Sequence, residues 1–135
     1  MNAIHKTPGH QPCPPQRILV VEDDPDIRQL NSEVLIQHGY QVDTAEDGDA
    51  GWQMLRASHY DLLITDNNMP KVTGVDLIKK LRSASLTLPV ILASGSAPAN
   101  TELLQLAAIL PKPFYTGQLL QTVRQVLQGD AGTCE

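Results

Sequence analysis

The chain has 135 residues, of which 41% are hydrophobic and 19% charged, and its formal net charge is −5. This length fits one domain with its own core, and the composition excludes a disordered or collagen-like chain. No apolar run approaches the roughly 20 residues of a membrane-spanning helix. The acidic balance argues against a domain that binds nucleic acid through net positive charge. We therefore expect a globular domain without membrane or nucleic-acid contacts.

The two ends of the chain differ from its middle. Residues 1–16 contain four prolines and Gly9 and have no apolar stretch typical of a secretory signal, so we predict a flexible arm. Residues 129–135 are predicted to be a short tail, which leaves residues 17–128 as the folded domain. Cys13 and Cys134, one near each end, would be either one disulfide or two free thiols. We favour free thiols in a reducing compartment, which predicts a cytoplasmic protein.

The domain begins with an apolar run, residues 18–21, that is rich in β-branched side chains and predicts a strand buried on both faces. A helix comes next, with Asp24 as its N-cap and Pro25 in its first turn, and it ends at Gly39. Its apolar residues recur at helical spacing and are expected to form one face: Ile27, Leu30, Val34 and Leu35. Residues 42–45 predict a short strand, and residues 50–55 lie in a second helix.

The same alternation continues to the end of the domain. Residues 62–65, 90–93 and 107–110 are further apolar runs that predict strands. Helices are predicted around residues 77–81, in a short piece at 103–106, and over residues 119–127. Five β–α units of this kind predict an α/β fold with a five-stranded parallel sheet and helices on both faces. Ligands bind such sheets at the carboxyl ends of the strands.

Polar side chains stand at these strand ends. Glu22 and Asp23 come after the first strand, Asp66 after the third, Ser94 after the fourth and Lys112 after the fifth. Carboxylates from separate strands favour a hard divalent cation such as Mg²⁺. A carboxylate beside that metal can act as a nucleophile on phosphorus, and an ammonium group can neutralise the phosphoryl oxygens. The pattern therefore indicates phosphoryl transfer.

Four segments resemble the receiver domain of two-component response regulators. They are VVEDD at residues 20–24, LITDNNMP at 63–70 together with Gly74, PVILASG at 89–95 and KPF at 112–114. Each lies at the end of a predicted strand, and the resemblance as a whole extends over about residues 17–128. The resemblance implies a flavodoxin-like sheet with strand order 2-1-3-4-5.

The resemblance also implies the role of each acidic residue. Asp66 matches the aspartate that accepts a phosphoryl group from a histidine kinase or a histidine phosphotransfer protein. Glu22 and Asp23 match the acidic pair that holds Mg²⁺ together with Asp66 and the backbone carbonyl of Asn68. The protein would then be a signalling phosphoacceptor that switches protein contacts, and not an enzyme beyond handling its own phosphoryl group. Its downstream target is not implied.

Ser94 matches the switch hydroxyl of the family and Lys112 its phosphate-binding lysine, with Pro113 following a cis peptide bond. Two features depart from the pattern. Ile109 stands where receivers often carry an aromatic residue three positions before the lysine. Only 18 positions separate Ser94 from Lys112, about one helical turn fewer than usual, so the fourth helix of the series is expected to be shortened.

Two other functions fit parts of the sequence. A degenerate receiver that docks without phosphorylation would explain Ile109 and the shortened segment, although the acidic set, Ser94 and Lys112 are all present. A phosphatase that turns over through an aspartyl phosphate would need a general acid near the nucleophile. The segment Asp66-Asn67-Asn68 has no second acid two residues on, which argues against that enzyme.

Overall fold

The computed structural model describes residues 15–95 and 102–129 of the chain. Most of the predicted arm, nearly all of the predicted tail, and both Cys13 and Cys134 lie outside these two ranges. The division into arm, domain and tail therefore stays a prediction. None of the described helices is long and apolar enough to cross a lipid bilayer.

The five predicted strands form one parallel sheet. They are β1 (Arg17–Val21), β2 (Gln41–Ala45), β3 (Leu62–Asp66), β4 (Val90–Ser94) and β5 (Ala108–Pro111). Their order is β2-β1-β3-β4-β5, which confirms the predicted topology. Every residue of β3 and β4 is buried, because these strands lie inside the sheet and are covered on both faces. The edge strand β2 is more exposed.

Four α-helices cover the sheet: α1 (Pro25–Gln37), α2 (Gly48–Ala57), α3 (Gly74–Ser83) and α4 (Thr116–Gly129). Three of them begin at a capping side chain that accepts a hydrogen bond from the first turn: Asp24, Asp47 and Thr73. Between β4 and β5 the described residues contain only a three-residue 3₁₀ helix, Glu102–Leu104. This confirms that the fourth helix of the series is shortened, and the label α4 goes to the terminal helix.

The core consists of two apolar layers, one on each face of the sheet. One layer packs the sheet against α2, α3 and the 3₁₀ helix, and includes Leu55, Leu77 and Leu104. The other packs it against α1 and α4, and includes Leu35 and Leu119. The strand ends that carry the polar residues are therefore supported from both sides.

The packing of α1 differs from the expectation for its apolar face. Leu35 is buried, but Ile27 is 36% exposed and Leu30 54% exposed. The buried residues of this helix are Asn31 and Leu35, one turn apart, so one of its two buried side chains is polar. Ile27 and Leu30 instead line an open apolar groove between α1 and the segment after β5.

Candidate functional site

Three carboxylates meet at the carboxyl end of the sheet. One oxygen from each of Glu22, Asp23 and Asp66 lies within 4.8 Å of the other two. They meet because β1 and β3 are neighbours, with Val21 in register with Thr65. Glu22 and Asp66 are each only 4% exposed, whereas Asp23 is exposed. The sequence prediction that these side chains converge is therefore correct.

Lys112, the residue directly after β5, joins this group. Its Nζ lies 2.7 Å from Oδ1 of Asp66 and 3.7 Å from Oε1 of Glu22. The backbone N–H of Lys112 donates to the carbonyl of Ser94 at 2.9 Å, which ties the end of β5 to the end of β4. Ser94 itself is buried at 4% exposure. The bond between Lys112 and Pro113 is cis, as the resemblance implied.

The surroundings of the group change the pKa values of Glu22 and Lys112. Burial raises the pKa of Glu22 to about 7, and the charge of Asp66 adds to this, although the amide of Asp24 and the charge of Lys112 act in the opposite direction. For Lys112, burial alone lowers the pKa. The hydrogen bond with Asp66 and the charges of Glu22, Asp66 and Asp23 more than compensate, so the net pKa is raised.

The donor set fits a hard divalent cation. Three carboxylates face one lysine, so the group carries an excess of negative charge when Glu22 is ionised. Apart from Lys112, no described residue donates a hydrogen bond to the buried Oδ1 of Asp66. Oxygen ligands with an uncompensated charge are what Mg²⁺ prefers. Asn68, the fourth predicted ligand, has an exposed side chain in the loop two residues after Asp66.

The loop after Asp66 is fixed by contacts that the sequence interpretation missed. The N–H of Asn67 donates to the carbonyl of Ala93 at 3.0 Å, and its carbonyl accepts from Gly74 at 3.2 Å. Its side-chain oxygen accepts from the N–H of Val75 at 3.1 Å. A Cβ on Gly74 would collide with the carbonyl oxygen of Asp66, so this position requires glycine. Asn67 and Gly74 both belong to the segment that carries the resemblance, but their contacts with each other were not predicted.

Two further residues complete the surroundings of the group. Arg28, also missed from the sequence, donates from Nη1 to the carbonyl of Glu22 at 2.8 Å and so braces the turn after β1. Ile109 lies in register with Leu92 and its side chain is 38% exposed.

A family model for the response regulator receiver domain matches residues 18–124. The chain belongs to this family. In receiver domains of two-component systems, the phosphoryl group is carried on an aspartate and Mg²⁺ is the typical metal.

Individual relatives agree with this assignment. The probable transcriptional regulatory protein SilR of Salmonella typhimurium is 39% identical over 116 residues, which cover 83% of this chain and 51% of SilR. This receiver thus spans about half the length of the curated relatives it matches. Among solved structures, the response regulator TrrA of Thermotoga maritima in complex with Mg²⁺-BeF is 32% identical, with a TM-score of 0.74 over 83% of this chain and 99% of TrrA. Chemotaxis protein CheY4 of Vibrio cholerae is 30% identical, with a TM-score of 0.79 over 84% of this chain and 100% of CheY4.

Proposed function

We propose that this receiver accepts a phosphoryl group on Asp66 from the phosphohistidine of a histidine kinase or a histidine phosphotransfer protein. The observation that carries the proposal is the position of Asp66. Its carboxylate is buried, one oxygen lies 2.7 Å from Lys112 Nζ, and two further carboxylates lie beside it. A charged, desolvated nucleophile next to a cation suits attack on phosphorus.

In the transfer, a carboxylate oxygen of Asp66 attacks the phosphorus atom. The P–N bond to the donor imidazole breaks, and its electron pair stays on the imidazole nitrogen. The product is an acyl phosphate on Asp66. Lys112 then pairs with a phosphoryl oxygen in place of the carboxylate, and the Ser94 hydroxyl donates to another. Both residues stand at the ends of neighbouring strands joined by a backbone hydrogen bond.

Glu22, Asp23, Asp66 and the backbone carbonyl of Asn68 would hold Mg²⁺. When bound, the ion supplies positive charge that offsets the charge of the phosphoryl oxygens. The protein stores the phosphoryl group as a signal instead of releasing it in repeated turnover. The lack of an acid two residues after Asp66 supports this distinction.

Incubation with Mg²⁺ and acetyl phosphate, followed by mass spectrometry of the intact protein, tests the proposal. We expect the wild type to gain one phosphoryl group and Asp66→Ala to gain none. Asp76→Asn is the matched control, because Asp76 is an exposed acid in the first turn of α3 and should leave the gain unchanged. An equal gain in Asp66→Ala would exclude Asp66 as the acceptor.

The apolar groove beside the site is where we propose that the phosphodonor protein binds. It has a volume of roughly 670 Å³ and runs from Ile27 and Leu30 on α1 to Phe114 and Tyr115 after β5, with Lys112 in its wall. Tyr115 is 84% exposed and Leu30 54% exposed. Because Lys112 belongs both to the groove and to the carboxylate group, a donor helix seated here would hold its phosphohistidine near Asp66.

A charged substitution in the groove tests whether the donor protein binds there, because it should affect donor binding and not the phosphorylation chemistry at Asp66. We expect Leu30→Glu to slow transfer from a phosphorylated histidine phosphotransfer protein at least about tenfold, since roughly 1.4 kcal/mol of apolar contact accounts for that factor. Phosphorylation by acetyl phosphate, which needs no groove, should not change.

Ile36→Glu is the matched control for this substitution. Ile36 has the same 54% exposure on the same helix, but it is not part of the groove. Equal slowing by both substitutions would indicate a general charge effect and contradict a donor site in the groove.

A further inference from the structure

Arg82, in the last turn of α3, binds four backbone carbonyls at once. Its Nε donates to Leu104 at 2.8 Å and its Nη2 to Gln105 at 3.1 Å. Its Nη1 donates to Leu86 at 2.9 Å and to Leu88 at 2.8 Å. The guanidinium therefore joins α3 to two segments, the loop that leads into β4 and the shortened connection that leads into β5.

Arg82 supplies two of the polar contacts of this connection, at Leu104 and Gln105. The described part of the connection contains one 3₁₀ turn, and Gln105 at the end of that turn has a left-handed backbone, with φ of 54°. Leu104 is buried against α3 at 4% exposure. A lysine has one compact ammonium group and cannot reproduce the planar fork that serves several carbonyls. Burial lowers the pKa of Arg82, in keeping with its enclosed position, but an arginine stays charged.

The other end of α3 is bonded to the residue directly after Asp66. The N–H groups of Gly74 and Val75, in the first turn of α3, both donate to Asn67, one to its carbonyl and one to its side chain. The helix has only 10 residues, or about 15 Å. One short helix thus contacts the phosphoacceptor loop at its start and the connection between Ser94 and Lys112 at its end.

We propose that α3 couples the phosphoacceptor loop to the shortened connection, and that Arg82 is the positioning residue that carries this coupling. A change at Asp66 alters the bonds of Asn67 to the first turn of α3. Since a packed helix moves as a unit, the displacement reaches Arg82 and the carbonyls of Leu104 and Gln105. The shortened connection is thereby linked to the site through its bonds to α3.

Nuclear magnetic resonance can follow both ends of α3 in the intact protein. At the far end, the probes are the Arg82 Nε–H resonance and the hydrogen exchange of the Ala107 amide, which donates to Val90 at 2.8 Å. At the near end, the probe is the Val75 amide. Two perturbations are applied: Mg²⁺ with beryllofluoride, and the substitution Asn67→Ala, which involves no phosphoryl chemistry.

Each perturbation should shift the Arg82 Nε–H resonance and change Ala107 exchange severalfold. In Arg82→Lys, the Val75 response to Mg²⁺ with beryllofluoride should persist and the Ala107 response should disappear. Arg124→Lys, on the exposed surface of α4, is the matched control and should behave as the wild type does.

The experiment with Mg²⁺ and beryllofluoride rests on the proposed function of Asp66, whereas the experiment with Asn67→Ala does not. The outcomes therefore distinguish a failure of the coupling from a failure of the proposed function. If Val75 responds to the ligand but Arg82 and Ala107 do not, the coupling is overturned and the site stands. If Mg²⁺ with beryllofluoride has no effect while Asn67→Ala still changes the Arg82 resonance and Ala107 exchange, the coupling stands and the proposed phosphorylation site is wrong. If the Arg82 Nε–H resonance is unchanged in Asn67→Ala, the coupling is overturned. This result needs neither the ligand nor the Arg82→Lys variant.

Discussion

At the scale of single residues, Glu22 makes a pH-dependent contribution to the stability of the metal-free protein. Its pKa is about 7 in the folded protein, against an ordinary value of 4.5, mainly because of burial. The folded state therefore binds the Glu22 proton more tightly than the unfolded state does. Stability falls as the pH rises from about 4.5 to about 7, and the whole loss persists at higher pH.

Glu22→Gln should remove this loss, because a glutamine has nothing to ionise. In chelator and urea, we expect the variant to exceed the wild type in free energy of unfolding by about 1–3 kcal/mol at pH 8 and by much less at pH 5. Glu33→Gln, at an exposed position of α1, should show no such pH-dependent gap. A gap of equal size at both pH values would contradict a raised pKa for Glu22.

At the scale of elements, two glycines near helix starts face opposite surroundings. A Cβ on Gly74, the first residue of α3, would lie 3.0 Å from Asn67 Cα and collide with the Asp66 carbonyl. Around Gly117, in the first turn of α4, nothing lies within 4 Å of an added Cβ. Substitution by alanine should therefore change the free energy of unfolding differently at the two positions.

Gly74→Ala should lower the free energy of unfolding by about 1–3 kcal/mol, the usual cost of overpacking. Gly117→Ala should be neutral or stabilising by up to about 1 kcal/mol, because alanine restricts the unfolded chain and favours helix. Urea unfolding measures both. If Gly74→Ala proved as stable as Gly117→Ala, the loop after Asp66 would have to yield more easily than its contacts indicate.

The elements also show what the sequence could and could not predict. The strands and their polar ends were predictable, because a parallel sheet brings its carboxyl ends to one edge and only residues near those ends can converge there. The side-chain contacts could not be predicted, since they depend on distances between segments that are far apart in sequence. Ile27 and Leu30 have helical spacing yet line a groove, and Arg82 resembles a surface arginine until its four carbonyl partners are seen.

At the scale of the whole molecule, the fold gathers like charges that a cation must offset. The packed layers on both faces hold the strand ends in place, so the buried carboxylates of Glu22 and Asp66 stay close together, with Asp23 beside them. Lys112 compensates part of that charge. Any ligand that binds only the folded arrangement stabilises it by mass action. Divalent metal should therefore raise stability through this one cluster.

Mg²⁺ at about 100 times its dissociation constant should raise the free energy of unfolding by about 2.7 kcal/mol. Because the metal displaces the Glu22 proton, at a fixed Mg²⁺ concentration the gain should be larger at pH 8 than at pH 6.

Asp23→Asn should lose most of the gain while leaving the metal-free protein stable, since Asp23 is exposed. Asp26→Asn, from the same acidic run but outside the cluster, is the matched control and should keep the gain. Thermal unfolding with and without Mg²⁺ measures each increment. An equal loss in both variants would mean that the ion acts by screening the acidic surface and not by binding at the strand ends.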